Sequence, residues 1–257
     1  MGKNDAGSAG VIKSISRGFR IVETLKELDG ARVSELASEL DMANSTAHRY
    51  LTSLEANEYV IQEGYRYYPS MEFLNIGDYV RNRKEAYRLA EEKVAQLAET
   101  TDERAEYLVE ECGHVVFVHC ETGAHAVQAD SHLGKRLPIH ATSAGKAIMA
   151  FLPDERVMEI IERHDLESYT ANTITDSDVL RDELAEIRER NVAFATQEYI
   201  QRMNTVSVPV MDVDGQVCGA LGISGPTHRM KGEWFRKEIP DLLLGTANEL
   251  EINVSYQ

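Results

Sequence analysis

Lysine is scarce in this chain, 9 against 18 arginines in 257 residues. Cysteine is scarcer. Cys112, Cys120 and Cys218 are an odd number and do not make a disulfide framework. Cys112, His114, His119, Cys120 and His125 look at first like a zinc set. A strand between the two cysteines would separate them by roughly 25 Å at about 3.3 Å per residue, too far for one tetrahedral site. No C-x-x-C pair exists, so neither metal nor cofactor is expected. No run of about 18 apolar residues occurs, so neither a transmembrane helix nor a membrane partner is expected. The opening "MGKNDAGSAG" lacks the apolar core of a signal peptide and reads as a disordered tail over 1–10. A cytoplasmic location is the expectation.

Positive charge is also short. The net charge is −16 and the pI near 4.9, a balance that ordinarily argues against nucleic acid. The deficit is uneven. Residues 1–70 hold 8 Lys/Arg and 10 Asp/Glu, a net −2, which leaves −14 to the rest. An acidic, lysine-poor chain suits a salt-loaded cytoplasm, so a halophilic host is expected. Apolar residues make up 43%, enough for real cores in one large or two small domains.

In "SISRGFRIVETLKEL" (14–28), Ile15, Phe19, Val22 and Leu25 recur at helical spacing, and Asp29-Gly30 stops the helix. "VSELASEL" (33–40) is a short second helix with Leu36, Ala37 and Leu40 inward. After "DMA", Asn44 is the expected N-cap of a third helix running to about Ala56, with Ala47, Leu51 and Leu54 inward. Residues 59–69 read as two short strands around Glu63-Gly64. A connecting helix and a longer amphipathic one follow over 70–101, with Arg81, Arg83 and Lys84 between them. Then the texture changes. "AEYLVEE", "VVFVHCE" and "HAVQADS" (125–131) read as strands. Helices are expected at 143–152, 154–163 and 179–190. Residues 205–226 form a hairpin around Asp214-Gly215, and a helix over 232–250 closes the chain. The fold class is α+β.

Two short helices joined by a tight turn, the second opening on "NSTAHRYL", make a helix-turn-helix pattern. A recognition helix offers its N-terminal side chains to base edges while its other face packs on the core. The DNA-facing candidates are Asn44, Ser45, Thr46, His48, Arg49, Tyr50, Ser53 and, beside them, Thr52; Tyr50 is borderline. Ser34 on the preceding helix and Arg66 near the hairpin tip, the wing, complete the set. Arg49 can grip guanine bidentately or hold a phosphate.

These stretches resemble the IclR family of transcriptional regulators over nearly the whole chain. At the N-terminus they are "SRGFRIVETL", "SELASELDMANSTAHRYLTSLEANEYV" and "YYPSMEFLNIG". At the C-terminus they are "GKRLPIHATSAGKAIMAFL" (134–152) and "SVPVMDVDGQVCGALGISGP" (207–226). The resemblance implies a winged helix-turn-helix domain at 11–72, a linker helix at 73–88 and a GAF-like effector-binding domain at 89–257. It also implies operator DNA and a small-molecule effector as partners, and a homodimer or dimer of dimers.

In the C-terminal part, "HATSAGKA" puts a polar turn at the start of a helix, whose free N–H groups at Ser143 and Ala144 suit a carboxylate. Gly222 and Ser224 share one strand face, and Thr205 opens the partner strand. The resemblance implies ligand contacts at Ser143, Ala144, Thr205, Gly222 and Ser224, with Leu137 and Met203 as apolar wall. The chain departs from some relatives in having Ala195 and Thr196 where they have an acidic residue, Thr205 for a Cys and Gly222 for a Ser, so ligand identity does not carry over. "GISGP" is not a G-x-S-x-G elbow, and "SAGKA" lacks the leading Gly and following Ser/Thr of a phosphate loop. Lys146 then reads as a helix-surface or structural charge, and Asp212 and Asp214 as turn residues.

The expected function is a ligand-responsive DNA-binding regulator of a catabolic or metabolic operon, sensing a small carboxylate or related metabolite. The alternative is a GAF-like small-molecule enzyme or sensor with an accessory helical domain. It needs a nucleophile–base set, and the sequence offers none.

Overall fold

The computed structural model describes residues 10–124, 126 and 131–255. The chain divides into two compact units, one up to Val80 and one from Arg81.

The first unit packs α1 (Lys13–Glu27), α2 (Val33–Glu39) and α3 (Asn44–Ala56) against a hairpin of β1 (Val60–Glu63) and β2 (Arg66–Pro69), and reaches into α4 (Glu72–Asn82). Its core is Ile21, Leu25, Leu36, Ala37, Ala47, Leu51, Val60 and Tyr67. An isolated bridge between Ala31 and Tyr67 pins the hairpin to the α1–α2 connection. Gly30, at φ +80°, allows this crossing, because a Cβ there would run into the Tyr68 ring.

The expected apolar stripe of α1 is partly misplaced. Leu25 is buried, but Ile15 and Phe19 are more than half exposed, and the core-facing residues are Ile21, Thr24 and Leu25. Ile15, Phe19 and Val22 instead line an open apolar groove with Tyr50, Leu54, Tyr59 and Phe73. Periodicity locates an apolar face; it does not say whether that face is covered.

The second unit is built on a six-stranded antiparallel sheet in the order β5-β4-β3-β8-β7-β6. The strands are β3 (Arg104–Glu111), β4 (His114–Thr122), β5 (Arg136–Pro138), β6 (Ala193–Thr196), β7 (Met203–Met211) and β8 (Val217–Pro226). α5 (Glu85–Thr101) and α9 (Ile239–Ser255), the latter preceded by a π-helical turn Trp234–Glu238, cover one face around Tyr107, Val206, Val208 and Leu221. α6 (Ser143–Met149), α7 (Asp154–His164) and α8 (Ser177–Arg190) lie with the other, around Leu108, Phe117, Ile148, Leu180 and Ala220. Covered on both sides, the central strands are buried over most of their length, as in Arg104 to Val109. The strand expected over 125–131 lies mostly outside the described residues. The expected 73–88 linker spans α4 and the first turn of α5, whose Ala86 and Tyr87 are buried. No helix among the described residues is long and apolar enough to cross a membrane.

Candidate functional site

α3 carries its polar side chains outward. Asn44, Ser45, His48, Arg49, Thr52 and Ser53 are exposed, Thr46 and Tyr50 half-buried, and Ala47 and Leu51 buried beneath them. The cap differs from the expected one. Ala43 holds the N-cap position with no side-chain cap, and Asn44 is the first helical residue. Asn44's side chain is therefore not used as the cap, and the first N–H groups of α3 keep their positive dipole end open to an anion. His48 Nδ1 and Thr52 Oγ1 lie 3.4 Å apart, while Ser53 Oγ donates back to Arg49 O.

Three candidates stand elsewhere than expected. Tyr50 and Ser53 line the apolar groove shared with α1. Arg66 is not free at the wing tip. Its Nη2 donates to Gly30 O at 2.6 Å and its Nη1 pairs with Glu35 at 3.3 Å, so it braces the wing against α2. Tyr65, 82% exposed, occupies the tip instead, a residue that sequence reasoning missed. Ser34 is exposed on α2.

In the second unit, Leu137, Ser143, Ala144, Met203, Thr205 and Ser224 line a single cavity of about 60 Å³. The sheet pairing explains the convergence. Arg104 faces Ser224, Ser224 faces Thr205, and Thr205 faces Ala195 across β3, β8, β7 and β6. One row along, Glu106 faces Gly222, which faces Ser207. Gly222 is the expected contact that does not reach the cavity wall. Its role is spatial, since a Cβ there would press on Ser207 Oγ.

Ser143 does not cap its helix. Thr142 does, accepting from Gly145 N. Ser143 Oγ donates to Thr205 Oγ1 at 2.8 Å and lies 2.8 Å from Ser207 Oγ, so three hydroxyls stitch α6 to β7. The stitch uses hydrogen-bonding capacity that the sequence reading had reserved for a ligand.

Charges missed by sequence reasoning stand on the same wall. Arg104 is 4% exposed and bonds Ser131 Oγ at 3.0 Å; Glu106 is 7% exposed. Burial raises the Glu106 carboxyl to about 7, against the opposing pull of the Arg104 charge. Lys146, expected as a surface or structural charge, is buried and structural. Its Nζ bonds Glu198 Oε1 at 2.9 Å and lies 3.6 Å from Glu183. Burial also raises the Glu198 carboxyl, and Lys146 opposes the rise. Glu198 thus brings acidity to the wall just beyond Ala195 and Thr196, where the sequence reading found none. Asp212 is a turn residue as read, accepting from Asp214 N and Gln216 N.

A winged helix-turn-helix unit preceding a sheet domain with a charged internal cavity is the build of a ligand-responsive transcriptional regulator. The chain belongs to the IclR family. Residues 14–64 match the IclR helix-turn-helix domain, and residues 80–252 match the bacterial transcriptional regulator IclR C-terminal domain. A probable HTH-type transcriptional regulator ArcR of Halobacterium salinarum is 29% identical over 247 residues, covering 95% of this chain and 94% of its own. The crystal structure of Thermotoga maritima IclR superposes with a TM-score of 0.80 at 27% identity, covering 95% of this chain and 99% of that one. An IclR homologue of Microbacterium hydrocarbonoxydans, complexed with 4-hydroxybenzoate, has the same fold at TM-score 0.80 and 21% identity, over 95% of this chain and all of that one. These relatives are regulators of transcription, which removes the enzymatic alternative.

Proposed function

We propose that the exposed polar face of α3 reads an operator and that the cavity between α6 and the sheet takes a small organic acid that changes operator affinity. On this reading Ser45, Thr46, His48 and Arg49 address the major groove, with Asn44 and the open N–H groups at the start of α3 on a phosphate. Ser34 lies on the flank of this surface, and Arg66 contributes by holding the wing. The ligand contacts are Leu137, Ala144, Met203, Thr205 and Ser224, joined by Arg104. The winged domain is assigned to 11–72, the connecting helical segment to 73–88 and the effector domain to 89–257. A homodimer or a dimer of dimers in the cytoplasm presents two such heads to a partly symmetric site. The lysine-poor, acidic composition and the Halobacterium relative support a salt-loaded host.

The observation that carries the reading is the outward polar face of α3 over a buried Ala47–Leu51 seam. The test is chromosome immunoprecipitation in native salt, with the intact chain and with Arg49→Ala. Sharp peaks that share a partly symmetric motif and vanish with Arg49→Ala support it. A flat profile for the intact chain across carbon and nitrogen sources sinks it.

A further inference from the structure

The wall of the cavity constrains which acid it accepts, granted the reading of that cavity as the effector site. Two buried polar atoms on it are under-satisfied: Glu198 Oε2 has no hydrogen-bond partner, and Ser224 Oγ has none beyond its link to the Glu106 carboxyl, a donor that protonation of Glu106 releases. Their chemistry is opposite. A hydroxyl can donate to an incoming anion, whereas a carboxylate oxygen whose twin is held by Lys146 only accepts. Buried groups of this kind are costly to leave unmade, so a ligand that satisfies both carries an acceptor and a donor. Ser224 is the direct cross-strand neighbour of Arg104, so a carboxylate placed there meets a guanidinium and a hydroxyl together. The cavity is small, about 60 Å³, which favours a ligand of a few carbons.

Glu106 stands two residues from Arg104 on the same face of β3. A carboxylate brought to Arg104 is brought to Glu106 as well, and two carboxylates sharing a buried site do not both stay ionised. We propose that the cavity takes a short hydroxycarboxylate, its carboxylate on Arg104 and Ser224 and its hydroxyl donating to Glu198 Oε2, and that Glu106 takes one proton from solvent as the ligand binds.

The surroundings of Glu106 favour this assignment. β8 and β7 present only Gly222, Ser224, Thr205 and Ser207 to it. β4 presents Cys120, whose thiol is pushed up to about 11 by burial and by Glu106 itself, so it stays neutral. Among the described residues, the charged groups on the same wall or bonded to it are Arg104 on its own strand and Glu198 with Lys146 from α6 and Glu183 from α8, and the neutral phenol of Tyr199 stands beside them. With burial holding the Glu106 carboxyl at about 7, the proton is exchangeable at neutral pH.

The test is calorimetric titration of the full-length chain in native salt between pH 6 and 9, in two buffers of different ionisation heat. The probes are glycolate, both lactates and D-glycerate, with acetate and propionate as partners lacking the hydroxyl, and glycerol and 4-hydroxybenzoate as other classes. At least one hydroxy acid is expected to bind ten times or more tightly than its deoxy partner. Uptake should approach one proton per site above pH 7, with affinity falling about tenfold per pH unit there. Glu106→Gln, checked for a native melting transition, should bind the same acid with neither uptake nor pH slope. Equal binding of propionate and lactate, absence of proton uptake, or no binding of any hydroxy acid overturns the proposal. If glycerol or 4-hydroxybenzoate alone binds and moves operator affinity, the effector cavity survives and the hydroxycarboxylate assignment fails. If no probe of any class binds, both fail.

Discussion

At the scale of single residues, the chemistry sits in charges that the sequence disguises. "AEYLVEE" reads as a strand, with no face assigned to water or to the core. Helices cover both faces of the sheet, and Arg104 and Glu106 become interior groups. No local signal reports a second covering layer, so these two were not legible, whereas Thr205 and Ser224 were, through the resemblance. Two predictions belong here. Lys146→Met leaves Glu198 buried without its cation, which should cost about 3 kcal/mol in urea unfolding. Adding Glu198→Gln should recover more than half of that loss; no recovery would mean that packing, not charge, sets the cost. Glu106 supplies the second. Its carboxyl is held at about 7 when folded against an ordinary value near 4.5, so the folded state binds the proton more tightly. Its contribution is complete below about pH 4.5 and is lost as pH rises through about 7. Glu106→Gln should therefore match the parent near pH 4 and exceed its stability by up to about 3 kcal/mol at pH 8. Parallel melting curves at both pH values would refute this.

At the scale of elements, helices and hairpins were legible because their signals are local. α1, α2 and α3 fall within a residue or two of the sequence reading, and so do the wing strands. What could not be read was which neighbour each face meets. Ile15 and Phe19 carry a helical stripe onto an open groove, and Arg66 turns from a wing contact into a brace on Gly30 and Glu35. Arg66→Ala should consequently lower the melting temperature of the first unit as well as operator affinity; weaker binding with an unchanged melt would return Arg66 to the DNA. α6 gives a sharper case. A Cβ on Gly145 would run into the carbonyl oxygen of Ile139, so Gly145→Ala forces α6 outward and draws Ser143 off Thr205 and Ser207. The expected cost is about 1–3 kcal/mol with loss of effector response. Gly77→Ala in α4, where a Cβ meets nothing within 4 Å, should be neutral or stabilising by a few tenths of a kcal/mol. Equal effects at the two glycines would remove the steric argument.

At the scale of the whole molecule, a protein of net charge −16 has to approach a polyanion. The first 70 residues resolve part of the conflict by carrying only −2 of that charge. α3 resolves more, because among its thirteen residues Arg49 is the one Arg or Lys and Glu55, near its C-terminal end, the one acidic residue, the rest of its exposed polar face being hydroxyls, an amide and an imidazole. Such a surface gains little from counterion release and correspondingly loses little when salt is high. Affinity falls with log salt at a slope near −0.9 per phosphate neutralised. With only a few cationic phosphate contacts per dimer, the slope for specific operator binding should be shallower than about −4. Fluorescence anisotropy on an operator fragment across a tenfold range of potassium chloride measures it. A slope near −8 would place many phosphates on basic side chains, and the binding surface would then have to extend well beyond α3. A shallow slope with retained discrimination against scrambled DNA would mean that base contacts and shape, rather than neutralised phosphates, carry the affinity.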